Sequence, residues 1–397
     1  MSYLKVRKKL LIITFSCIIF FSSGCANNFS ESEFENYQSE DIVSSNNFSS
    51  DEICLTKFET LFPVFVNGYF EYIDINGEVV TDYKFDKANY FNDGLAIVCK
   101  NQKYGAIDLY TNIVISIKYN KINDFHCGYA CVSDENERYG FIDSLDRLII
   151  PYRYTVANDF SEDIAIVSDD GYSYYAIDYT GTKIFEIECE YYSLIGNFHN
   201  GLQRQMYSFY NKTGECIIYD EIFRMDAWRY FPSDFSEGLA VYPIINDLEW
   251  GNNNDYDISY YMNQDNWIYK YIDVNGEVSI DNSFNYAEPF MNGLAIVEKN
   301  GERGVIDKTG EFIYMCDTIY GQYSEGYISY YEENEGVYKF GFRDKYGNIA
   351  IKPQYDEVLL GFTDGLALVK SGKMLMYIDK YGKIIYEFEE PQYKFWI

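Results

Sequence analysis

Histidine is almost absent: His126 and His199 are the only two in 397 residues. Both follow the aromatic residue of a recurring short segment, at a position filled elsewhere by Ser, Asn, Met or Thr, and read as exposed turn residues. His-Glu-x-x-His is absent, and so are Gly-x-Ser-x-Gly and Gly-x-x-x-x-Gly-Lys. Zinc hydrolysis, the serine nucleophile elbow and the phosphate-cradling loop therefore have no sequence support. Basic residues are scarce too, 32 Lys+Arg against 62 Asp+Glu, for a net charge of −30. A polyanion without a basic stripe repels phosphate polymers, which excludes nucleic acid as a partner. The charge reads as a solubility device, with a cationic partner as the alternative. No apolar run reaches the roughly 20 residues of a membrane-spanning helix; the one at Leu10 to Phe21 has 12.

That run follows Lys5, Arg7, Lys8 and Lys9 and precedes Ser22-Ser23-Gly24 and Cys25. Basic, apolar and small-residue zones in this order make residues 1–24 a signal peptide. Small residues before a cysteine resemble the lipobox of bacterial lipoproteins, with Ser22 where that family usually has Leu. The resemblance implies that Cys25 is acylated and becomes the new N-terminus. The protein would then be exported and held on the outer side of the bacterial cell membrane by its lipid. Removing residues 1–24 takes four basic and no acidic residues, leaving a charge near −34. Residues 25–60 read as the lipidated cysteine and a disordered tether, because Ser, Asn, Asp and Glu make up 19 of the 27 residues 26–52. Beyond Cys17 and Cys25, seven cysteines remain, an odd and scattered set with one close pair, Cys127-x-x-x-Cys131. Without a second pair or a histidine couple at zinc spacing, these read as buried free thiols, and no metal or cofactor is expected.

From about residue 61 to 397 the chain repeats with a period near 35. One marker is an aspartate, usually after Ile, opening an Asp-x-x-Gly type turn: Asp74, Asp108, Asp143, Asp178, Asp273, Asp307, Asp344 and Asp379. A degenerate copy lies at Tyr210-Asn211 with Thr213-Gly214. The other marker is an aromatic, two polar residues and Gly-Leu-Ala, as in Phe91 to Ala96, Phe235 to Ala240, Phe290 to Ala295 and Phe362 to Ala367. Each unit predicts an antiparallel meander of three to four short strands, about nine in all. The Asp side chain accepts backbone N–H groups at the turn, and Gly supplies the positive φ. A metal-binding ladder of these aspartates is the alternative, but recurrence in every unit is what a structural turn requires. Leu95, Ala96, Ile97 and Val98 are apolar on both strand faces, so each unit must be covered on both sides and the units must stack. Recurrent Ala at 96, 130, 165, 240, 295 and 367 and Gly at 105, 140, 304 and 341 predict one close neighbour at the same place in each unit. An open solenoid is expected from the short units and their number, with a closed β-propeller as the alternative.

Tyr139-Gly140-Phe141-Ile142-Asp143, Leu148 to Pro151 and Asp159 to Glu162, and more fully Phe340 to Asp344 through Phe362 to Val369, resemble the WG (KWG) repeat family of bacterial proteins. Tyr104, Tyr139, Arg303 and Phe340 stand where that family has its Trp. The resemblance implies a repeat scaffold for binding, with no defined reaction.

Tyr 43, Phe 29 and Trp 4 make up 19% of the chain, and the excess of Tyr predicts many hydroxyls at the surface. The period breaks at 242–268, where an insertion carries Trp250, Tyr256, Tyr260, Tyr261 and Trp267, the expected binding loop. The function expected is a non-catalytic scaffold for protein–protein interaction at the bacterial surface. A glycan or cell-wall binder is the alternative, and a hydrolase the second, although nothing singles out two of the 62 acids. A clickable fatty acid fed to the expressing bacterium should label the wild-type protein and leave Cys25→Ala unlabelled; label retained on the variant would remove the lipid anchor from this reading.

Overall fold

A computed structural model describes residues 59–188, 195–219, 231–245 and 267–391. Among them the strands form seven sheets of four strands, one of three and one two-stranded hairpin, all antiparallel. Sheet 1 pairs Phe62–Val66 with Tyr69–Ile73. Sheet 2 is Lys87–Ala88, Leu95–Lys100, Lys103–Asp108 and Ile113–Tyr119. Sheets 3, 4 and 5 span 121–154, 156–187 and 195–218. Sheet 6 is Leu239–Ile245, Trp267–Asp273 and Val278–Phe284, and sheets 7, 8 and 9 span 286–315, 319–355 and 357–389. Strand order follows the sequence in each, so every full unit is a four-stranded meander.

The second and third strands are buried on both faces, as in Leu95–Lys100, because their Val, Ile, Leu and Ala side chains alternate between two covered sides. The fourth strand alternates with solvent: in Ile113–Tyr119 and Leu148–Tyr154 only the third and seventh residues are fully buried. Among the described residues no single central core exists. Each apolar cluster joins facing sides of consecutive sheets, as where Ile97 and Ile115 of sheet 2 meet Phe125 and Val132 of sheet 3. Stability therefore resides in the interfaces, each of which needs its neighbour.

The stack closes into a ring, a β-propeller, in place of the expected open solenoid. Three contacts found between consecutive sheets recur between sheet 9 and sheet 1. Glycines of the Asp-x-x-Gly turns lie on the fourth strand of the preceding sheet: a Cβ on Gly310 would fall 2.5 Å from Ile280, on Gly347 2.6 Å from the Tyr314 ring, and on Gly77 2.5 Å from the Ile385 carbonyl. Tyrosine hydroxyls of the strand that precedes each Asp-x-x-Gly turn donate to the next sheet, Tyr72 to Asn89 O at 2.7 Å, Tyr271 to Glu288 O at 2.7 Å and Tyr377 to Pro63 O at 3.0 Å. The marker turn of sheet 9 reaches sheet 1 through Thr60 Oγ1, which donates to Asp364 at 2.9 Å. One continuous cluster, including Leu368, Tyr377, Phe62, Tyr72, Ala96 and Val98, spans the seam. Closure removes the two terminal faces that an open stack would leave apolar and wet.

Two sequence expectations change in detail. The recurrent alanines do face the neighbouring sheet, Ala130 packing with residues of sheet 2 and Ala165 with those of sheet 3. The recurrent glycines instead face the fourth strand of their own sheet, where a Cβ on Gly140 would lie 2.5 Å from Ile150 O. Register shifts between third and fourth strands, as at Leu148/Ile150, force that close approach. Tyrosine lies on both sides: Tyr110, Tyr172, Tyr179, Tyr346 and Tyr381 are among the exposed rings, whereas Tyr72, Tyr154, Tyr242, Tyr271, Tyr330 and Tyr377 are among the largest fully buried side chains. Replacing Gly347 (φ 84) with Val would combine an unfavourable backbone with displacement of Tyr314, at a cost of about 1–3 kcal/mol. Urea unfolding of Gly347→Val should show that loss; an unchanged midpoint would refute the packing role of the turn.

Candidate functional site

Because strands alternate in direction, the turns after the first and third strands lie on one face of the ring. That turn face collects both sequence markers. In the Asp-x-x-Gly turns, one Asp oxygen accepts two N–H groups: Asp74 Oδ1 those of Asn76 and Glu78, Asp344 Oδ1 those of Tyr346 and Asn348, and Asp379 Oδ1 those of Tyr381 and Lys383. Asp108, Asp143, Asp178, Asp273 and Asp307 make the same pair of bonds. The Thr309 hydroxyl and then backbone N–H groups hold the Asp307 carboxyl below its ordinary range.

The marker turns join successive sheets. Ser161, Ser236 and Ser324 donate through Oγ to the carbonyl of the next marker aromatic, Phe198, Phe290 and Phe362. The following acid accepts the N–H of the next marker glycine: Glu162 from Gly201 at 2.8 Å, Glu237 from Gly293 at 2.9 Å and Glu325 from Gly365 at 3.0 Å. Lys212 and Lys308, from turns of the next sheet, complete the ion pair with Glu162 and Glu237. Sequence reading recognised the marker but not that its polar residues act between units, since the partner lies one period away.

First strands converge at the inner edge of the ring, where a residue of one sheet comes within hydrogen-bond reach of the residue one place further along in the next. Asn89 donates to Asp124 at 3.1 Å, Asn123 to Asp159 at 2.9 Å, and Asn158 to Asn197 at 3.3 Å. Further round, Arg204 pairs with Asp234 at 3.0 Å, and Arg303 with Glu288 at 3.2 Å. Asp124 and Asp159 are half exposed to solvent but enclosed on most sides by the ring. Desolvation pushes both carboxyls up; amide bonds and nearby His126 oppose it, while the Asp124 charge adds to it at Asp159. The arrangement can hold a proton or attract a cationic group. Among the described residues no group of three or more His, Cys, Asp and Glu is placed to hold a metal ion.

The expected loop residues fare differently. Trp250, Tyr256, Tyr260 and Tyr261 lie outside the described residues, as does Cys25. Trp267 does not belong to an exposed loop: it is buried, 2% exposed, and pairs with Ile245. Tyr242 is also core, so the insertion is confined to 246–266, between the paired strands Leu239–Ile245 and Trp267–Asp273 and outside the described residues. Apolar periodicity inside Leu239–Ile245 could have shown this. His126 is half-buried within reach of Asn92, and His199 ends a strand, so neither is a plain exposed turn residue. Cys127 is disulfide-bonded, Cys99 and Cys131 are buried thiols, and Cys216 is exposed. Raised folded values for Asp159 mean that its ionisation disfavours the folded ring, a cost absent below about pH 3.8 and complete above the folded value. Asp159→Asn should melt at or above the wild-type temperature at pH 7 and converge with it toward pH 3.5; a lower melting temperature at both would instead show a structural carboxylate.

No curated protein matches the chain. A crystal structure of a eukaryotic initiation factor is similar in fold, with a TM-score of 0.51 at 8% identity over 83% of this chain and 96% of that one. Dihydro-heme d1 dehydrogenase NirN in complex with DHE aligns over 88% of this chain and 75% of that one at 12% identity and a TM-score of 0.39. BamB from Moraxella catarrhalis aligns over 69% and 92% at 9% identity and a TM-score of 0.35. These identities speak to fold alone. The WG containing repeat family model matches residues 72–104, 104–137, 139–172, 271–302 and 340–373 of the ring.

Proposed function

We propose that the protein is a non-catalytic interaction scaffold, displayed on the outer side of a bacterial cell membrane by lipid at Cys25. Its turn face would engage a partner protein. One observation carries the reading: six of the Asp-x-x-Gly type turns present an apolar side chain to solvent on that face, namely Ile75, Tyr110, Leu145, Tyr179, Tyr346 and Tyr381. Leu145 is 69% and Tyr381 79% exposed, whereas turns need only their Asp and Gly for structure. Rigid aromatic side chains on fixed turns anchor a partner at low entropic cost. The polar residues of the repeats are largely committed to bonds within and between sheets, which suits a scaffold better than a reaction centre.

Glycan binding is the second reading, supported by Tyr346 and Tyr381, each with a lysine over its ring, Lys345 at 5.0 Å and Lys380 at 5.3 Å. A photocrosslinker at Tyr381 in the full chain, with products identified by mass spectrometry, should trap one envelope protein. Leu145→Ser/Tyr179→Ser/Tyr346→Ser should abolish that product without changing the melting temperature. Crosslinking only to polysaccharide would favour the glycan reading. Trapping that survives the turn substitutions but fails after Trp250, Tyr260 and Tyr261 are changed to Ala would move the site to the insertion.

A further inference from the structure

The Ser-Glu staple holds at three junctions; the marker turns of sheets 2, 3, 5, 7 and 9 lack it, and in sheet 5 Asn200 Oδ1 accepts the Gly238 N–H at 3.1 Å instead. At the positions of Ser161-Glu162 and Ser236-Glu237, sheet 7 has Met291-Asn292. Met291 has no hydroxyl to donate to the Tyr323 carbonyl. Among the described residues no side chain accepts the Gly326 N–H in the way that Glu162, Glu237 and Glu325 accept those of Gly201, Gly293 and Gly365. Lys345 stands where Lys212 and Lys308 find their glutamates and lies over the Tyr346 ring, as Lys380 lies over that of Tyr381.

A cleft of about 490 Å³ opens at this junction, lined by Asn292, Tyr323, Gly326, Lys345, Tyr346 and Glu325 among others. Glu325 already accepts from Gly365 of the next sheet. Tyr323 supplies the second observation. It is the marker aromatic of sheet 8, where Phe91, Phe125, Phe160, Phe198, Phe235, Phe290 and Phe362 stand in other sheets. Its side chain is 4% exposed, and its buried hydroxyl has no partner, a cost of about 1–3 kcal/mol unless something accepts it. Lys345, Tyr323 and Gly326 thus line a space where the marker turn of sheet 7 carries Asn292 and no carboxylate.

We infer that this cleft binds the glutamate side chain of an acidic peptide segment, which takes the place that Glu162 and Glu237 hold at their junctions. The ligand carboxylate would pair with Lys345 and accept from Gly326 N–H and Tyr323 Oη, and a serine before it would donate to the Tyr323 carbonyl. A free organic anion satisfies only the first part, so Ser-Glu is the chemistry the site matches. The chain itself carries the marker triplet once outside the described residues, at Phe29-Ser30-Glu31, and a partner presenting the same triplet would serve equally. The inference rests on the scaffold reading only in treating the turn face as the binding side.

The test uses the full chain with Glu31→Gln, so that its own triplet does not compete, and fluorescent acetyl-Phe-Ser-Glu-amide as probe. Anisotropy should show saturable binding. It should weaken at least tenfold for the Phe-Ser-Gln peptide and for Lys345→Met, and severalfold for Tyr323→Phe, a substitution each of the other marker positions named above already tolerates. Asn292→Glu should fill the site from within, raise the melting temperature by about 2 °C and abolish peptide binding, and Lys345→Met should cancel that gain. Equal binding of the Glu and Gln peptides, no binding, or an Asn292→Glu variant with no Lys345-dependent shift would overturn the carboxylate seat. Failure there would leave the exposed turn apices, and the crosslinking result, untouched. Recovery of wild-type peptide affinity on restoring Glu31 assigns the seat to a partner's triplet; a loss on restoring it assigns the seat to the chain's own.

Discussion

Two-sided burial of the central strands is the constraint from which the rest of the structure follows. A sheet whose second and third strands are apolar on both faces, as Leu95–Lys100 and Lys103–Asp108 are, is unstable without a neighbour on each side. Repetition meets that need everywhere except at the ends, where one face stays open. Here the ends meet. Phe62 of sheet 1 and Tyr377 of sheet 9 pack with ring centroids 5.3 Å apart, and the Tyr377 hydroxyl also meets that of Tyr90 in sheet 2 at 2.8 Å. The seam is thus joined across three sheets.

Much of this was legible in the sequence. Period, turn chemistry and the two-sided strands are local properties, and a repeat displays them several times, so Asp344 and Gly347 could be assigned from their own segment. Closure could not be read this way. It depends on the angle between successive sheets, set by small residues against a neighbour's fourth strand, as at Gly310 on Ile280. A spacing of about 35 residues does not encode that angle. The buried share of the tyrosines was illegible for a related reason. A phenol on a doubly buried strand is ordinarily costly, but the neighbouring sheet offers a carbonyl to Tyr72, Tyr271 and Tyr377, and sequence alone does not show which acceptors a neighbour brings.

Residues at the inner edge follow a different logic from those at the interfaces. Interfaces repeat; the inner edge does not. Asn89, Asn123 and Asn158 give way to Gly196 at the equivalent position, then to Glu288 in sheet 7 and Gly321 in sheet 8. Asp124 and Asp159 each accept an amide and have no cation partner among the described ion pairs, whereas Asp234 and Glu288 each face an arginine. Uncompensated desolvated carboxylates lower stability, and a fold that could replace them with amides at no steric cost retains them.

The same reasoning separates scaffold from site on the turn face. Where a side chain repeats because a neighbour requires it, as Glu162 and Glu237 do, its role is exhausted by the bond it makes between sheets. Where the pattern fails while the neighbour's groups persist, the unmatched donors become the informative feature. At sheets 7 and 8, Lys345 and Gly326 keep the positions of their counterparts although the acid has become Asn292, and a hydroxyl has been added at Tyr323 inside a buried interface. A merely degenerate repeat would keep phenylalanine, since that choice is cheaper than a buried unmatched hydroxyl. Function in such a ring therefore lies in departures from the repeat, and those departures can be recognised only after the physical purpose of the repeat has been assigned residue by residue.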